Sequence, residues 1–277
     1  MKKITTGILI LASALLLLAG CGKGSAKQSD NKKVKLGVVG SDTRTWDFVK
    51  EKLAKDGIDL EIVEFTDYNQ PNAALNDKEI DLNSFQHQIF LDNYNNEHGT
   101  KLTSIGNTVN SPLGIYSEKI KSVDELKDGD EISIPNDPTN GGRALILLQK
   151  AGLIKVNAAK NNLPTVEDIT ENKKQLKITE LDAAQTARSL QDVAAAIING
   201  GMAIDAGYSP KQDAIFFEPV DDESRPYVNI IVARPEDTDN QTYQKIVAAY
   251  QQDDVKDFIL ETYKEAYQPA WETFGKK

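Results

Sequence analysis

From residue 34 onward, strand-like and helix-like segments alternate along the chain, and this alternation limits the possible folds more than any other feature. Residues 58–65 alternate apolar and polar positions as a half-buried strand does, whereas Trp46, Val49 and Leu53 repeat at helical spacing. Such alternation predicts an α/β fold with mainly parallel sheets. The length fits two sheets of about five strands each, and the cleft between them would be the natural ligand site.

Local signals predict the individual elements. Strands are expected at residues 35–40, 58–65, 81–85, 131–135, 176–181, 214–217 and 227–233, with two further extended runs inside 102–117. Residues 190–201 include a run that should be buried on both faces. Helices are expected at residues 46–57, 86–97 and 141–151 and near the C-terminus, and the S-x-x-E box at residues 122–125 predicts one more helix start.

The N-terminal segment has the organisation of an export signal. Two lysines follow Met1, and the apolar run at residues 4–18 is shorter than the ~20 residues that span a membrane comfortably. The run ends in Leu-Ala-Gly before Cys21, the only cysteine, and so resembles a bacterial lipobox. We therefore expect a lipoprotein signal peptide at residues 1–20, lipid attachment at Cys21 and a flexible tether at residues 21–33. The alternative is that Cys21 is a free or buried thiol. A lipidated Cys21 would anchor the protein, extracytoplasmically, to the cell membrane.

Charge and composition exclude several function classes. The formal net charge of −10 argues against a nucleic-acid partner and against electrostatic adhesion to anionic lipid. No cysteine follows Cys21, the only histidines are His87 and His98, and neither a G-x-S-x-G elbow nor a metal-binding spacing occurs. We therefore predict that the protein is not an enzyme and uses no metal or other cofactor.

One loop combines features of an anion site. The stretch IPNDPTNGGRALILL, residues 134–148, joins a short strand to a helix through Asn140 and two glycines, with Arg143 close to the expected helix start. It lacks the G-x-x-x-x-G-K-[ST] spacing of a phosphate-binding loop. Helix N–H groups and a planar guanidinium suit a carboxylate. The alternative is an ordinary turn with a solvated Arg143.

Aromatic and amide side chains occur at further strand ends. Phe85 and His87 follow a predicted strand, and Tyr68 and Phe90 could complete an aromatic wall of a cleft. The alternative is that the phenylalanines are core and His87 only caps a helix. Two asparagines, Asn199 and Asn229, also stand at strand ends, where such residues are often turn formers.

Taken in order, these segments resemble a known family. The Leu-Ala-Gly-Cys box and the segments DLNSFQH, IPNDPTNGGRALILLQKAGLI, ELDAAQTARSL, AAAIINGGMA and PYVNIIVAR are similar to the NlpA lipoprotein family, the methionine-binding lipoproteins that serve ABC importers. The resemblance covers essentially the whole chain, and N-D-P-T-N-G-G-R-A-L is its most specific motif.

The resemblance implies a type II periplasmic-binding-protein fold, in which two α/β lobes close on a ligand. The first lobe would comprise residues 34–117 and 226–277 and the second residues 118–225, with crossings near 116–120 and 223–227. The protein would act as a monomer that captures methionine and delivers it to a membrane permease and its ATPase.

The resemblance also implies roles for the site residues. Arg143 would pair with the α-carboxylate of the ligand, bidentate if geometry allows, with support from Asn140 and the glycine amides. The amides of Asn199 and Asn229 would fix the amino and carboxylate groups. Three side chains would wrap the thioether: Tyr68, Phe85 and His87.

Two segments depart from the family pattern. After His87 the family often has Lys-Pro-Tyr, but here the segment is Gln-Ile-Phe, so that Phe90 keeps the ring and loses the hydroxyl. Residues 40–46 lack the usual Pro-His character. The ligand could therefore be L-methionine, D-methionine, an oxidised form, a methionine-containing dipeptide or another small amino acid. A surface interaction lipoprotein without a transport role is a further alternative.

Overall fold

The computed structural model describes residues 32–157, 163–264 and 266–277. The expected signal peptide at residues 1–20 and the expected lipid attachment at Cys21 lie outside the described residues, as does most of the expected tether at 21–33. The first strand already begins at Lys32, two residues before residue 34, where the folded part was predicted to start. In the described part of the chain no helix is long and apolar enough to cross a membrane.

Two sheets organise the described residues. One has six strands, in the spatial order Gln268–Pro269 (β13), Thr103–Asn110 (β4), Val228–Ala233 (β12), Leu82–Asn83 (β3), Lys32–Val39 (β1) and Ile58–Phe65 (β2). The other has five, in the order Phe216–Phe217 (β11), Gly114–Tyr116 (β5), Ala195–Ile198 (β10), Glu131–Pro135 (β6) and Lys177–Leu181 (β9). Lys155–Val156 (β7) and Ile169–Glu171 (β8) form a separate antiparallel pair.

Helices connect and cover these strands. They are Arg44–Lys55 (α1), Pro71–Asn76 (α2), Gln88–His98 (α3), Pro138–Lys150 (α4), Ala183–Thr186 (α5), Gly200–Asp205 (α6), Pro210–Asp213 (α7), Gln241–Tyr250 (α8), Asp253–Tyr263 (α9) and Ala270–Thr273 (α10). The helix predicted to start at residues 122–125 does not continue beyond its first turn, because only a 3-10 turn forms at Val123–Glu125. The Glu125 carboxylate accepts from the backbone N–H of Lys121 rather than closing the box on Ser122, and the backbone of Leu126 is extended.

The sheets are mixed, so the prediction of mainly parallel sheets is wrong. Strands β1, β2 and β3 pair in parallel, as do β6, β9 and β10. However, β4, β5, β11, β12 and β13 pair antiparallel with their neighbours. Parallel neighbours need a long crossover. The chain instead enters β5 and β12 directly from the other sheet, which leaves these strands antiparallel to their neighbours.

Each sheet has its own hydrophobic core. Trp46 and Leu53 of α1 pack with Ile246 of α8 and Ile259 of α9 against the six-stranded sheet. A separate cluster around Leu145 of α4 covers the five-stranded sheet. Burial of an apolar side chain of this size stabilises the fold by ~1.5–3 kcal/mol. Partly buried side chains from the side of the five-stranded sheet, Ile204 and Phe217, also pack against the first core.

The chain passes between the sheets at two connections. The first connection, residues 111–113, joins β4 to β5, and the second connection, residues 218–227, joins β11 to β12. The first lies earlier in the chain than the crossing expected near 116–120, because β5 already pairs with β10 of the five-stranded sheet. The two connections are tied together by the backbone N–H of Glu218, which donates to Leu113 O at 3.0 Å. At the end of β4, Asn110 Nδ2 also donates to Ser224 O of the second connection at 3.2 Å.

Candidate functional site

A cleft of about 1000 Å³, including its open mouth, lies between the two sheets. Both sheets supply its walls. All eight side chains predicted from the sequence line it: Tyr68, Phe85, His87, Phe90, Asn140, Arg143, Asn199 and Asn229. The fold therefore brings together residues that are up to 161 positions apart, since 229 − 68 = 161.

The loop before α4 is held by its own aspartate. Asp137 caps the helix, because its Oδ1 accepts from the backbone N–H groups of Thr139 at 3.2 Å and Asn140 at 2.9 Å. The helix therefore begins at Pro138, three residues before the predicted start, and Arg143 lies in its second turn. The N–H of Gly141 donates to Asp137 O at 2.8 Å. This amide is used within the helix, so the expectation that the glycine amides support an anion is wrong for Gly141.

Asn140 is oriented for a role between the sheets. Its Nδ2 donates to both carboxylate oxygens of Asp137, at 3.2 and 3.0 Å. Its Oδ1 accepts from Asn199 Nδ2 at 2.8 Å and lies 3.4 Å from His87 Nε2. Asn140 therefore joins Asn199, the residue directly after β10 of one sheet, to His87 at the start of α3 beside the other sheet.

The guanidinium of Arg143 is buried and already partly paired. Arg143 is only 2% exposed to solvent. Nε donates to Glu218 Oε1 at 3.0 Å, and Nη2 donates to Glu218 Oε2 at 2.6 Å and to Ser111 O at 3.1 Å. The Tyr227 ring lies beneath, with its centroid 4.3 Å from Cζ. Among the described residues no acceptor takes a hydrogen bond from Nη1, so a ligand carboxylate can meet Arg143 there and not along the Nε–Nη2 edge.

His87 is a neutral side chain with a defined tautomer. Burial first, and then the positive charge of Arg143, lower its pKa to about 3. Its Nδ1 accepts from the backbone N–H of Phe90 at 3.2 Å and so caps α3. The single ring proton must then be on Nε2, which donates toward Asn140 Oδ1. His87 therefore presents no charge to the cleft.

The lowered pKa of His87 predicts a pH dependence of stability. The unfolded side chain takes up a proton below about 6.5, whereas the folded one resists until about 3. Stability should therefore fall as pH drops through this window, by up to about 1.4 kcal/mol per pH unit. Melting temperatures at pH 7.0, 5.5 and 4.5 test this against His87→Asn, which keeps an N-cap acceptor. The wild-type curve should be the steeper one, and parallel curves would contradict the assignment.

Three half-buried rings form one wall of the cleft. Tyr68 stacks on Phe85 with ring centroids 5.9 Å apart, and Phe90 meets both edge-on, at 6.2 and 5.8 Å. Since these rings are only half-buried and face the cleft, the alternative that the phenylalanines belong to the core does not hold. The wall offers faces and edges to an apolar or sulfur-containing group.

Asn199 provides an unused acceptor. It precedes α6 and is 8% exposed, yet its Oδ1 has no hydrogen-bond partner among the described residues, while its Nδ2 is held by Asn140. Buried polar atoms are nearly always paired, so this oxygen, on a residue that lines the cleft, is a candidate acceptor for a ligand donor. Asn229 is half-buried, directly after the first residue of β12, and lines the same cleft.

Several residues in or beside the cleft were missed by the sequence reasoning. Glu218 supports Arg143, and Asp205 Oδ1 accepts from the backbone N–H and hydroxyl of Ser41 across the two sheets, at 3.0 and 2.8 Å. A side chain at Gly200 would meet Ser111 Oγ at 2.5 Å, so the close approach here requires glycine. Glu218 and Asp205 lie in none of the segments that carry the family resemblance, and each contact joins residues far apart in sequence.

Comparisons with known proteins identify the family. The profile of the NlpA lipoprotein family matches residues 34–271. The D-methionine-binding lipoprotein MetQ of Escherichia coli K12 is 44% identical over 92% of this chain and 94% of its own, and the probable D-methionine-binding lipoprotein MetQ of Vibrio cholerae is 46% identical over 94% and 95%.

Solved structures agree. The structure of a nutrient-binding protein from Burkholderia cenocepacia bound to methionine has a TM-score of 0.82 at 44% identity, covering 86% of this chain and 99% of that one. Protein PG110 from Staphylococcus aureus has a TM-score of 0.83 at 50% identity, covering 85% and 93%. These matches confirm the predicted fold class, a type II periplasmic-binding-protein-like α/β fold with two lobes and a ligand cleft between them. The chain belongs to the NlpA lipoprotein family.

Proposed function

We propose that this protein is the lipid-anchored substrate-binding component of an ABC importer, which captures methionine in the cleft and delivers it to a membrane permease and its ATPase. One observation carries the proposal: the cleft combines a guanidinium with a free Nη1, a buried unpaired amide oxygen and a wall of three aromatic rings. These three features match the carboxylate, ammonium and thioether of methionine. The relatives, which are named as D-methionine-binding lipoproteins, support the same assignment. Like them, the chain is a binding protein and not an enzyme.

The two charged groups of methionine would be met separately. Its carboxylate would accept from Arg143 Nη1 and from the Asn229 amide, and its ammonium would donate to Asn199 Oδ1. A buried zwitterion is tolerated only when both charges are paired in this way. Asn140 would act indirectly, by holding Asn199 in place.

The side chain of methionine would lie against Tyr68, Phe85 and Phe90, with neutral His87 beside them. Each sulfur–aromatic contact contributes ~0.3–1.5 kcal/mol in addition to apolar burial. A protonated His87 would be repelled by Arg143 and would suit a thioether poorly, so the low pKa of His87 fits this ligand.

The two lobes would correspond to the two sheets. We place their division at the first and second connections, residues 111–113 and 218–227, in place of the boundaries at 117 and 226 expected from the sequence. The contacts of Asn140 with His87 and of Asp205 with Ser41 join the two sheets and would hold the lobes closed on the ligand.

The membrane attachment would follow from Cys21. The protein is an extracytoplasmic, membrane-anchored lipoprotein. Its relatives are named lipoproteins, one of them an outer membrane lipoprotein. We propose that the lipid is attached at Cys21 and that the folded part acts as a monomer.

Isothermal titration calorimetry of the purified protein with L-methionine, D-methionine and a methionyl dipeptide tests the function. We expect one site with micromolar or tighter affinity for methionine. At a ligand concentration 100 times the Kd, unfolding should cost about 2.7 kcal/mol more than in the empty protein. Methionine sulfoxide serves as the control, because its polar sulfur should bind the ring wall less well. A surface interaction lipoprotein would show neither heat nor thermal shift with any of these ligands.

A further inference from the structure

We infer that Glu218 is a positioning residue for ligand binding: it fixes the orientation of the Arg143 guanidinium so that Nη1 is presented to the ligand carboxylate. The inference rests on the proposed function, because it assumes that Arg143 receives this carboxylate. Glu218 itself does not line the cleft and would not touch the ligand.

The Glu218 carboxylate is itself held in place. The residue is 8% exposed and is the first residue of the second connection, directly after β11. Its two oxygens accept from Arg143 Nε and Nη2, and Oε2 also accepts from the backbone N–H of Leu113 at 2.9 Å. Three donors therefore fix this carboxylate, one of them from the backbone of the first connection.

Arg143 is consequently held by both connections at once. Ser111 O in the first connection takes a hydrogen bond from Nη2, and the second connection supplies Glu218 at its start and the ring of Tyr227 at its end. A bidentate pair together with a stacked ring leaves the plane of the guanidinium little freedom. The direction of the Arg143 Nη1 donor is thus set before the ligand carboxylate arrives. This reduces the conformational entropy that the Arg143 side chain loses on binding.

Glu218 also supplies the counter-charge in the empty cleft. An unpaired guanidinium that is 2% exposed would be strongly unfavourable. With Glu218 present, the pair is neutral both before and after a zwitterionic ligand enters. The alternative is that the ion pair only stabilises the connections between the sheets, with no effect on how the carboxylate is recognised.

The positioning role and the purely stabilising role predict different results for a ligand without a carboxylate. Only the positioning role makes the effect of Glu218 on binding depend on the ligand carboxylate. The variant Glu218→Gln keeps the shape of the side chain but offers one oxygen to three donors, so Arg143 loses a fixed contact. The test is to measure the affinity of each protein, wild type and Glu218→Gln, for two ligands. These are L-methionine and L-methioninamide, in which an uncharged amide replaces the carboxylate. We expect Glu218→Gln to bind methionine about ten-fold more weakly. The ratio of its affinity for methionine to its affinity for methioninamide should fall by a similar factor.

The variant Asn110→Ala is the matched control. It removes the hydrogen bond from Asn110 Nδ2 to Ser224 O, which ties the end of β4 to the second connection, but Asn110 neither hydrogen-bonds to Arg143 nor lines the cleft. Its preference for methionine over methioninamide should equal that of the wild type. If Glu218→Gln fails to fold, Glu218→Asp replaces it, because a carboxylate one methylene shorter should show an intermediate loss of preference.

The outcomes distinguish this inference from the proposed function. A wild-type protein that binds no methionine overturns the proposed function. A wild type that binds, together with a Glu218→Gln variant that weakens both ligands equally, overturns the positioning role and leaves the function standing. Unchanged or tighter methionine binding by Glu218→Gln, or an unchanged preference in Glu218→Asp, overturns it as well.

Discussion

Replacing Arg143 with alanine should weaken methionine binding by about a hundred- to a thousand-fold and should also lower the melting temperature of the empty protein. The affinity falls because removing one partner of a buried hydrogen-bonded charge pair costs about 2–5 kcal/mol. Stability falls because the Glu218 carboxylate, 8% exposed, loses its counter-charge and keeps only one of its three donors. Breaking a buried ion pair from one side costs about 3–5 kcal/mol. Calorimetric titration and thermal melts measure the two effects separately.

A double variant isolates the binding effect from the folding effect. Arg143→Ala combined with Glu218→Gln leaves no buried unpaired charge, so its melting temperature should recover much of the loss. Its methionine affinity should remain as low as that of Arg143→Ala alone. If Arg143→Ala keeps methionine affinity within about ten-fold of the wild type, a single-bond effect at most, Arg143 does not receive the carboxylate.

Replacing Asn199 with alanine should weaken methionine binding by about ten- to a hundred-fold while changing the stability of the empty protein much less than Arg143→Ala does. Asn199 Oδ1 is buried without a partner, so the proposed hydrogen bond from the ligand ammonium is a new, charge-assisted one worth about 1.5–3 kcal/mol. The variant also removes the bond from Asn199 Nδ2 to Asn140 and so loosens Asn140. In the empty protein, the loss of this one bond is partly offset by the removal of an unsatisfied acceptor.

Asn110→Ala is again the matched control for this prediction. Asn110 also has a buried Oδ1 without a partner and a single bond from its Nδ2, but it does not line the cleft. It should therefore change the melting temperature by a similar amount and leave methionine affinity unaltered. Equal affinities of the two variants would show that the ammonium is bound elsewhere.

Elements with a strong local pattern could be predicted with their bounds. Strands β2 and β6 lie where the alternation and the apolar run indicated, at Ile58–Phe65 and Glu131–Pro135. The predicted bounds were less accurate for elements whose ends depend on a specific capping side chain. The helix α4 begins earlier than expected because the Asp137 side chain takes up its first free N–H groups. The predicted strand at 81–85 is reduced to Leu82–Asn83, because the following residues turn toward the cleft and His87 caps α3.

The site could be predicted in part. Its eight candidate residues were singled out by their places in a loop and at strand ends, the resemblance to the family suggested what they bind, and the fold brings all eight to one cleft. The geometry of Arg143 could not be anticipated in this way. Its carboxylate partner is 75 residues away and is one of 42 acidic residues, with no spacing that distinguishes it. The expected bidentate contact with a ligand is therefore replaced by a bidentate contact with Glu218, which leaves Nη1 for the ligand.

The sequence by itself determined the α/β class, the order of most elements, the family and the kinds of side chain that a ligand would contact. These depend on local periodicity and on short motifs, both of which are formed by residues close together in the chain. Only the tertiary structure decided the direction of β5 and β12, the position of the two connections and the partners of Arg143, Asn140 and Asn199. Most of these depend on contacts between residues far apart in the chain, such as Asn140 with Asn199, 59 positions apart, and Arg143 with Glu218, 75 positions apart. Such pairing is set by how the two sheets pack and not by any segment alone.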